Sequence, residues 1–474
     1  MVHDLIIPVE NLVRELDAKL VLAMLAARRG FTSFIGARLE IDFRIARFQR
    51  SIYLSKSMTQ RSLRMFRIMS LLGHHITAWD EEALVHPPEE VYFSRRMSPH
   101  SIRYVSDLFA WGEENAQLWR RYPHLPEDIK IHLTGNPRGD MLRPELRGTF
   151  AREADELRQE HGRFILINTN FSFVNPFFPE QGLLRQDKVG ADGKPEYGRA
   201  AIGMERSFVE RLHRHKNEIF TSFRQMIPAL YRAFPDTTII IRPHPVENPE
   251  VYKDIASACP GMKVINKGNV IPWLLASVAV IHNGCTTGVE AYMLEVPAIS
   301  YQAAGDRELD NTFYRLPNML SHQCFSLDEL IEMLKAIEAG KTGAASGEER
   351  HRLMAYHLAS QDGPLACELI LDRLEAIDTA LASRPLPSLA SRLKGTFLAT
   401  RRRVKKRIKA LKPNSKYRPK FQRYRFPEIS LAELEARMQR LGSSLHLSPM
   451  PEAKQVHRFI FKISPAGRGK ISRT

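Results

Sequence analysis

Apolar residues along this 474-residue chain fall into two alternating rhythms: short β-rich runs, and longer stretches in which apolar positions return every three or four residues. In the first third, residues 3–9 read as a strand and 11–29 as a helix, with Leu12, Leu16, Leu20 and Met24 on one stripe and Gly30 closing it. Further strands are predicted at 32–35, 51–54 and 76–79, with a helix over 61–72. Residues 91–93 and 108–111 predict two more strands, the second running into a helix at 113–121. After a charged connector, 143–163, the rhythm restarts with a strand at 164–168, a long helix within 207–233 and an almost wholly apolar strand at 237–242. Strands at 263–266, 278–282 and 297–301 follow, with a helix starting near Thr287 and another at 326–339, where Ser326 and Glu329 make a capping box. Residues 181–201 have the Gly, Pro and charge content of a long loop. Strand–helix alternation of this kind predicts an α/β fold of two doubly wound, Rossmann-like parallel sheets, with ligands beyond the carboxyl ends of the strands, in a cleft between facing sheets.

The expected division is a first domain at 1–150, a second at 151–345, a helical return segment at 346–384 and a basic, partly helical tail at 385–474. Prolines 385 and 387 break the chain before that tail, and Ser430 with Glu433 starts its last amphipathic helix.

Charge changes this picture in one place. The chain holds 69 Lys and Arg against 53 Asp and Glu, a net +16. Residues 391–425 contain fifteen basic residues and no acidic one, so the rest of the chain is close to neutral. Within that segment Leu393, Phe397, Val404, Ile408 and Leu411 recur at helical spacing among the cations. A basic amphipathic helix suits an anionic membrane surface, each nearby cation adding about 1 kcal/mol. A solvated helix packing back on the body is the bland alternative. Nucleic acid is disfavoured, because no recognised nucleic-acid motif accompanies the run. Four widely spaced cysteines without a Cys-x-x-Cys pair argue against a disulfide framework and a cysteine zinc site. No apolar stretch approaches the roughly 18 residues of a membrane span, and Asp4 and Glu10 interrupt the start where a signal peptide would be basic and then apolar. The expectation is a cytoplasmic protein, peripheral at the inner face of the cytoplasmic membrane.

The candidate chemistry lies where predicted strands end. Arg242-Pro243-His244-Pro245, followed by Glu247 and Asn248, fixes a histidine beside an arginine on a turn stiffened by two prolines. That pair suits a phosphate leaving group, with charge from Arg242 and a hydrogen bond or proton from His244. His282-Asn283-Gly284-Cys285-Thr286-Thr287-Gly288-Val289-Glu290 places hydroxyls and glycines at a helix start, a ready anion site, with Asn283 beside it and Glu290 placed for a ribose hydroxyl. Simple capping by Thr286 or Thr287 is compatible with this. In the first domain Asp80, Glu81 and Glu82 follow a strand, and one of them is a candidate base or nucleophile. Glu10 is a second carboxylate near the same face, while Arg138 and Asn170 are candidates to reach the substrate. No metal motif and no P-loop is present.

Taken together, IPVENLVRELDAKL, WDEEAL, TGNPRGDML, LINTNF, IRPHPVEN, IPWLLASVAVIHNGCTTGVEA and YRLPNMLS resemble, in order across about residues 5–320, the bacterial surface-carbohydrate biosynthesis proteins, glycosyltransferases of GT-B architecture. A more distant resemblance is to GT-B sialyltransferases and 3-deoxy-octulosonic acid (Kdo) transferases. Their acidic pair, His-Pro motif and Ser/Thr pair look like Glu81-Glu82 (or Asp80-Glu81), His244-Pro245 and Thr286-Thr287 here. Ala83 stands where that pattern prefers Gly, which leaves the choice of carboxylate open. The resemblance implies transfer of an ulosonic acid from a CMP-sugar to a glycan or lipid-linked glycan acceptor, with the nucleotide sugar as co-substrate and no cofactor or metal. CDP-glycerol glycerophosphotransferases share the Gly-x-Pro-Arg turn and the Arg-Pro-His-Pro motif. Nucleotide-sugar 2-epimerases share the architecture, and a non-catalytic polysaccharide-assembly scaffold is the alternative outside enzymes.

Overall fold

A computed structural model describes residues 4–190, 193–412, 415 and 417–467. The chain divides into two compact units, one formed by Met1–Ala83, Arg96–Thr149 and Ala355–Thr474, the other by Leu84–Arg95 and Phe150–Met354.

In the first unit the apolar runs become strands Asp4–Val9, Ser33–Ala37, Ser51–Ser55, His75–Ala78, Asp107–Ala110 and Lys130–Leu133, all parallel. Counted in chain order they lie 2-1-3-4-5-6, so the order reverses between Asp4–Val9 and Ser51–Ser55. A ligand crevice belongs at the carboxyl ends of such a switch point. Helix Leu12–Arg28 is buried on nearly every side, because helices Ala366–Ala382 and Leu431–Ser444 of the same unit also pack on it. Among its buried residues are Glu15 and Lys19.

Several expectations change here. Residues 355–474, expected as a return segment and a tail, belong to the first unit. Their last described part is an antiparallel hairpin, Glu452–His457 and Ile460–Ser464, whose second strand pairs with Ser33–Ala37 at the sheet edge. Gly36 permits that approach, since a Cβ there would fall 2.1 Å from the Phe459 carbonyl oxygen. The strand expected at 91–93 is instead part of helix Glu89–Arg96, entered through Pro87 and Pro88 with the Tyr92 amide donating to the Pro88 carbonyl. Val91 packs there in a second-unit cluster with Leu183, Ala201 and Met204. The charged connector is largely helix, Pro144–Arg147 and Ala151–His161. The predicted loop at 181–201 holds a small hairpin, Leu184–Val189 with Pro195–Tyr197.

The second unit has six parallel strands, Phe164–Asn168, Thr238–Arg242, Lys263–Val264, Ala279–His282, Ala298–Tyr301 and His322–Cys324. Their order is 3-2-1-4-5-6, the Rossmann arrangement, with the switch between Phe164–Asn168 and Ala279–His282. Helix Arg206–Ala233 lays Phe220, Phe223, Ile227 and Leu230 on the sheet residues Ile165, Ile239 and Ile281. Ser326 caps helix Leu327–Glu338 as predicted, accepting from the Glu329 amide, while the Glu329 carboxylate reaches back to the Phe325 amide.

Candidate functional site

At the carboxyl edge of the first sheet, Asp4–Val9 ends in Glu10, Ser51–Ser55 in Lys56, and His75–Ala78 in Trp79-Asp80-Glu81-Glu82. Parallel register brings these ends side by side, and helix Leu12–Arg28 adds Glu15 and Lys19. Lys19 Nζ lies 2.7 Å from Glu15 Oε2, 3.1 Å from Glu81 Oε1, and donates to the Pro8 carbonyl at 2.8 Å. Lys56 Nζ pairs with Glu15 Oε1 at 2.5 Å and Glu10 Oε2 at 3.2 Å. Arg38 lies 3.4 Å from Glu10, and Arg425, from the basic segment, closes on the other Glu10 oxygen. Burial alone would raise the Glu10 carboxyl, but Lys56, Arg38 and Arg425 bring it down to about 2. Burial likewise raises Glu15 and Glu81, but Lys19 and Lys56 together, joined by Arg138 at Glu81, leave both below the usual carboxylate range. Glu15 also accepts the Glu10 and Asn11 amides at 3.0 and 3.2 Å, capping its own helix.

The three consecutive carboxylates have different surroundings. Asp80 is buried and gripped by Arg96, whose Nε lies 2.9 Å from Oδ2, while Oδ1 accepts the Glu82 amide at 3.1 Å. Glu82 is 46 % exposed and receives both terminal nitrogens of Arg14, at 3.1 and 3.4 Å. Glu81 is buried: Oε1 accepts from the Trp79 indole at 2.9 Å, and Oε2 has no hydrogen-bond partner among the described residues. Arg138 is drawn to the same turn, donating to the Glu81 carbonyl at 3.4 Å with its guanidinium 5.7 Å from the Trp111 ring.

In the second unit, the ends of Thr238–Arg242, Phe164–Asn168 and Ala279–His282 are adjacent, with Asn168 in register between Arg242 and His282. His244 is exposed on the Pro-His-Pro turn. The Val246 amide donates to its Nδ1 at 3.4 Å, which places the proton of the neutral ring on Nε2. Beneath it Glu247 accepts from the His244 amide at 3.1 Å, the Thr169 hydroxyl at 3.0 Å and the Tyr252 hydroxyl at 2.6 Å. Burial pushes the Glu247 carboxyl up to about 7 despite those bonds. Asn283 clamps the neighbouring turn: Oδ1 accepts from the Asn170 amide at 3.0 Å, and Nδ2 donates to the Asn170 carbonyl at 3.3 Å. Asn168 itself is buried with neither side-chain atom hydrogen-bonded among the described residues.

Helix Thr286–Met293 begins at the predicted anion site. Cys285 and Thr287 touch at 2.6 Å through sulfur and hydroxyl, and burial pushes the thiol up to about 11, which disfavours a thiolate. Glu290 is buried on the same helix. His282 is held by Ser321 at 2.8 Å and by the Gly284 amide at 3.0 Å, and a Cβ on Gly288 would sit 2.5 Å from its Nε2. Arg242 is used differently from expectation. Its terminal nitrogens donate to the Lys267 and Gly268 carbonyls at 2.7 and 2.6 Å, and its guanidinium lies 5.4 Å from the Trp273 ring. It braces a neighbouring turn.

The sequence pattern alone did not mark Glu15, Lys19, Lys56, Arg96 and Asn168. The available signal was Glu15 and Lys19 four apart in an otherwise apolar helix. Asn168 could have been found as the polar end of an apolar buried strand.

The basic segment forms helix Leu389–Ala410. It packs on helix Leu63–Leu72 through Gly395 and Ala399, with Ser391 donating to the Leu71 carbonyl and Arg402 pairing with Asp42 at 2.8 Å. The opposite stripe stays in solvent: Leu393 is 62 % exposed, Phe397 64 % and Ile408 60 %. Among the described residues no helix is long and apolar enough to cross a membrane.

No protein-family model and no curated protein matches this chain. Among solved structures it is similar to a variant of the wall teichoic acid polymerase TagF soaked with CDPG, at 11% identity over 81% of this chain and 90% of that chain, TM-score 0.49. It is also similar to UDP-GlcNAc 2-epimerase from Methanocaldococcus jannaschii, at 10% identity over 79% and 99% of the two chains, TM-score 0.47. A third likeness is to UDP-GlcNAc 2-epimerase from Neisseria meningitidis bound to UDP-GlcNAc, at 14% identity over 78% and 99%, TM-score 0.43.

Proposed function

We propose that this chain is a GT-B-type glycosyltransferase of surface-polysaccharide or lipopolysaccharide assembly, transferring an ulosonic acid from a CMP-sugar to a glycan or lipid-linked glycan acceptor. The observation that carries the reading is the gathering of His244, Asn283 and the Thr286–Met293 helix start at the ends of three central strands, beside the unpartnered amide of Asn168. Thr286, Thr287 and the helix amides hold the donor phosphate, and Glu290 accepts from the ribose. His244 Nε2–H donates to the phosphate oxygen as the anomeric C–O bond breaks and CMP departs. Glu81 takes the acceptor hydroxyl proton as the new C–O bond forms, its Oε2 having no hydrogen-bond partner among the described residues. Asp80 and Glu82 orient arginines, and Glu10, Arg138 and Asn170 contribute to acceptor binding. No cofactor or metal step enters this scheme.

A second reading, CDP-glycerol-type phosphoglycerol transfer, is favoured by the intact Arg242-Pro243-His244-Pro245 and Gly135-Asn136-Pro137-Arg138 motifs. Thermal shift with CMP-, CDP- and UDP-linked donors separates the two, followed by release of CMP in the presence of acceptor. Stabilisation by CMP-sugars, lost release in Glu81→Gln and a large fall in His244→Ala are expected. Stabilisation by a CDP donor alone selects the second reading, and by a UDP-sugar alone rejects both. Epimerisation or free nucleotide without acceptor points to the epimerase chemistry. Wild-type activity in both variants favours a scaffold.

The same reading places the enzyme on an anionic membrane, with Leu393, Phe397 and Ile408 entering the interface and the surrounding cations on the headgroups. Salt-sensitive co-sedimentation with anionic vesicles should be lost when these three residues become serine. Unchanged sedimentation sinks the membrane assignment.

A further inference from the structure

Glu247 takes no direct part in the transfer proposed above, yet donors from three segments converge on its buried carboxyl. Oε1 accepts the His244 amide at 3.1 Å and Oε2 the Tyr252 hydroxyl at 2.6 Å. The Thr169 hydroxyl lies 3.0 Å from both oxygens, and the Phe171 amide adds a further bond. Thr169 and Phe171 follow strand Phe164–Asn168, His244 follows Thr238–Arg242, and Tyr252 lies on helix Glu250–Ser257. An apolar side chain would fill this space without the cost of burying a carboxyl. What the carboxyl adds is direction, because its two oxygens offer about four lone-pair sites, enough for all of these donors.

The clamp is tightest around His244. Besides its amide on Oε1, its carbonyl accepts the Glu247 amide at 2.8 Å. Inside the turn so closed, the Val246 amide donates to His244 Nδ1 at 3.4 Å, leaving the proton of the neutral ring on Nε2. The turn is fastened outward as well. The Phe177 amide donates to the Val246 carbonyl at 2.8 Å, and the Asn175 side chain to the Asn248 carbonyl at 2.9 Å. Through Thr169 the same carboxyl reaches the neighbouring turn, since the next residue, Asn170, is held at amide and carbonyl by Asn283. Asn283 stands just before helix Thr286–Met293. One buried side chain therefore registers His244 against the strand-end loop that Asn283 holds.

We propose that Glu247 is the positioning residue of His244, fixing the tautomer of its ring and its place beside the Asn283 turn. That His244 handles a phosphate rests on the function proposed above; the clamp itself rests on the bonds of Glu247.

NMR of the ring nitrogens in the full chain, labelled with 15N-histidine, tests this at about pH 8.5, above the ordinary histidine range. The His244 signals are assigned by their loss in His244→Gln. Wild type should show one neutral tautomer, with the proton on Nε2. Glu247→Gln keeps an oxygen for the His244 amide, while the Tyr252 and Thr169 hydroxyls can turn to accept from its amide nitrogen. It should therefore keep that tautomer, whereas Glu247→Leu should populate both. A folded Glu247→Leu that loses melting temperature but keeps the wild-type ring signals overturns the proposal, because its role is then packing alone. Calorimetric titration with CMP is the second readout. Affinity should fall at least about fivefold in Glu247→Leu and stay within about twofold of wild type in Glu247→Gln. Equal affinity in all three overturns the proposal while leaving the donor reading intact. Wild type that binds no CMP rejects the donor reading, and the ring signals still decide the role of Glu247. If Glu247→Leu does not fold, a mixture of tautomers in wild type or in Glu247→Gln overturns the proposal, and a single Nε2–H form in both supports it.

Discussion

Both sheets gather polar residues at a switch point, but the two gatherings are built on opposite electrostatic plans. Within the first unit's strand-end cluster each carboxylate named faces a cation: Glu15 and Glu81 share Lys19, Glu10 meets Lys56, Arg38 and Arg425, Asp80 holds Arg96 and Glu82 holds Arg14. These pairings keep Glu10, Glu15 and Glu81 ionised far below neutrality. At the strand ends of the second unit Glu247 is instead buried among neutral groups: it rests on two hydroxyls and an amide and is pushed up to about 7. Paired charges are fixed in place and indifferent to pH near 7. Single charges among dipoles stay close to titration, and a ligand ion can change their state.

The contrast is broken most directly at Lys19. Lys19→Met leaves Glu15 and Glu81 buried together without their shared cation, and should cost on the order of 3–5 kcal/mol. Urea unfolding measures it, and adding Glu15→Gln should recover part of the loss. A cost below about 1 kcal/mol would mean that the first cluster is not held by its pairing. A smaller effect is expected in the second unit, where shape rather than charge positions the groups. Gly288→Ala puts a methyl 2.5 Å from His282 Nε2, against a ring already fixed by Ser321 and Gly284, and should cost about 1–3 kcal/mol. An unchanged melting temperature would show that the His282 ring has room to move.

The same division explains what the sequence discloses. Strand Phe164–Asn168 has the bounds its apolar run predicts, and Thr238–Arg242 differs by one residue, because a parallel strand covered on both faces is written as a continuous apolar run. His244, Asn283 and Thr286 were legible because each follows such a strand within a few residues. In the first cluster Glu10 and the Asp80–Glu82 run were legible as strand ends on one face, but their cations were not, since the partners meet across 41 residues for Lys56 and Glu15 and across 415 for Arg425 and Glu10. Arg242 misleads for the same reason: nothing in Arg-Pro-His-Pro reveals that the Lys267 and Gly268 carbonyls return to it. The basic segment reads as detached from the nearly neutral body, yet Arg402 and Arg425 tie it to Asp42 and Glu10. The hairpin at 452–464 carries a mostly exposed first strand, and its second strand takes its place by pairing with Ser33–Ala37.

Glu247 gives the contrast a pH signature. Its carboxyl titrates at about 7 in the fold against 4.5 for an unperturbed glutamate, because burial outweighs the bonds from Tyr252, Phe171, His244 and Thr169. Between those values the folded chain keeps a proton that the unfolded chain has released. The stability from this proton is therefore full below about pH 4.5, declines as pH rises to about 7, and is spent above it. Glu247→Gln has no proton to lose there. The stability difference, wild type minus variant, should fall by on the order of 1 kcal/mol per pH unit across that window and flatten beyond it. Urea titrations at several pH values from 4 to about 8 measure that slope. A difference independent of pH would place Glu247 with the fixed, ionised carboxylates of the first unit, and the two plans would no longer be opposites.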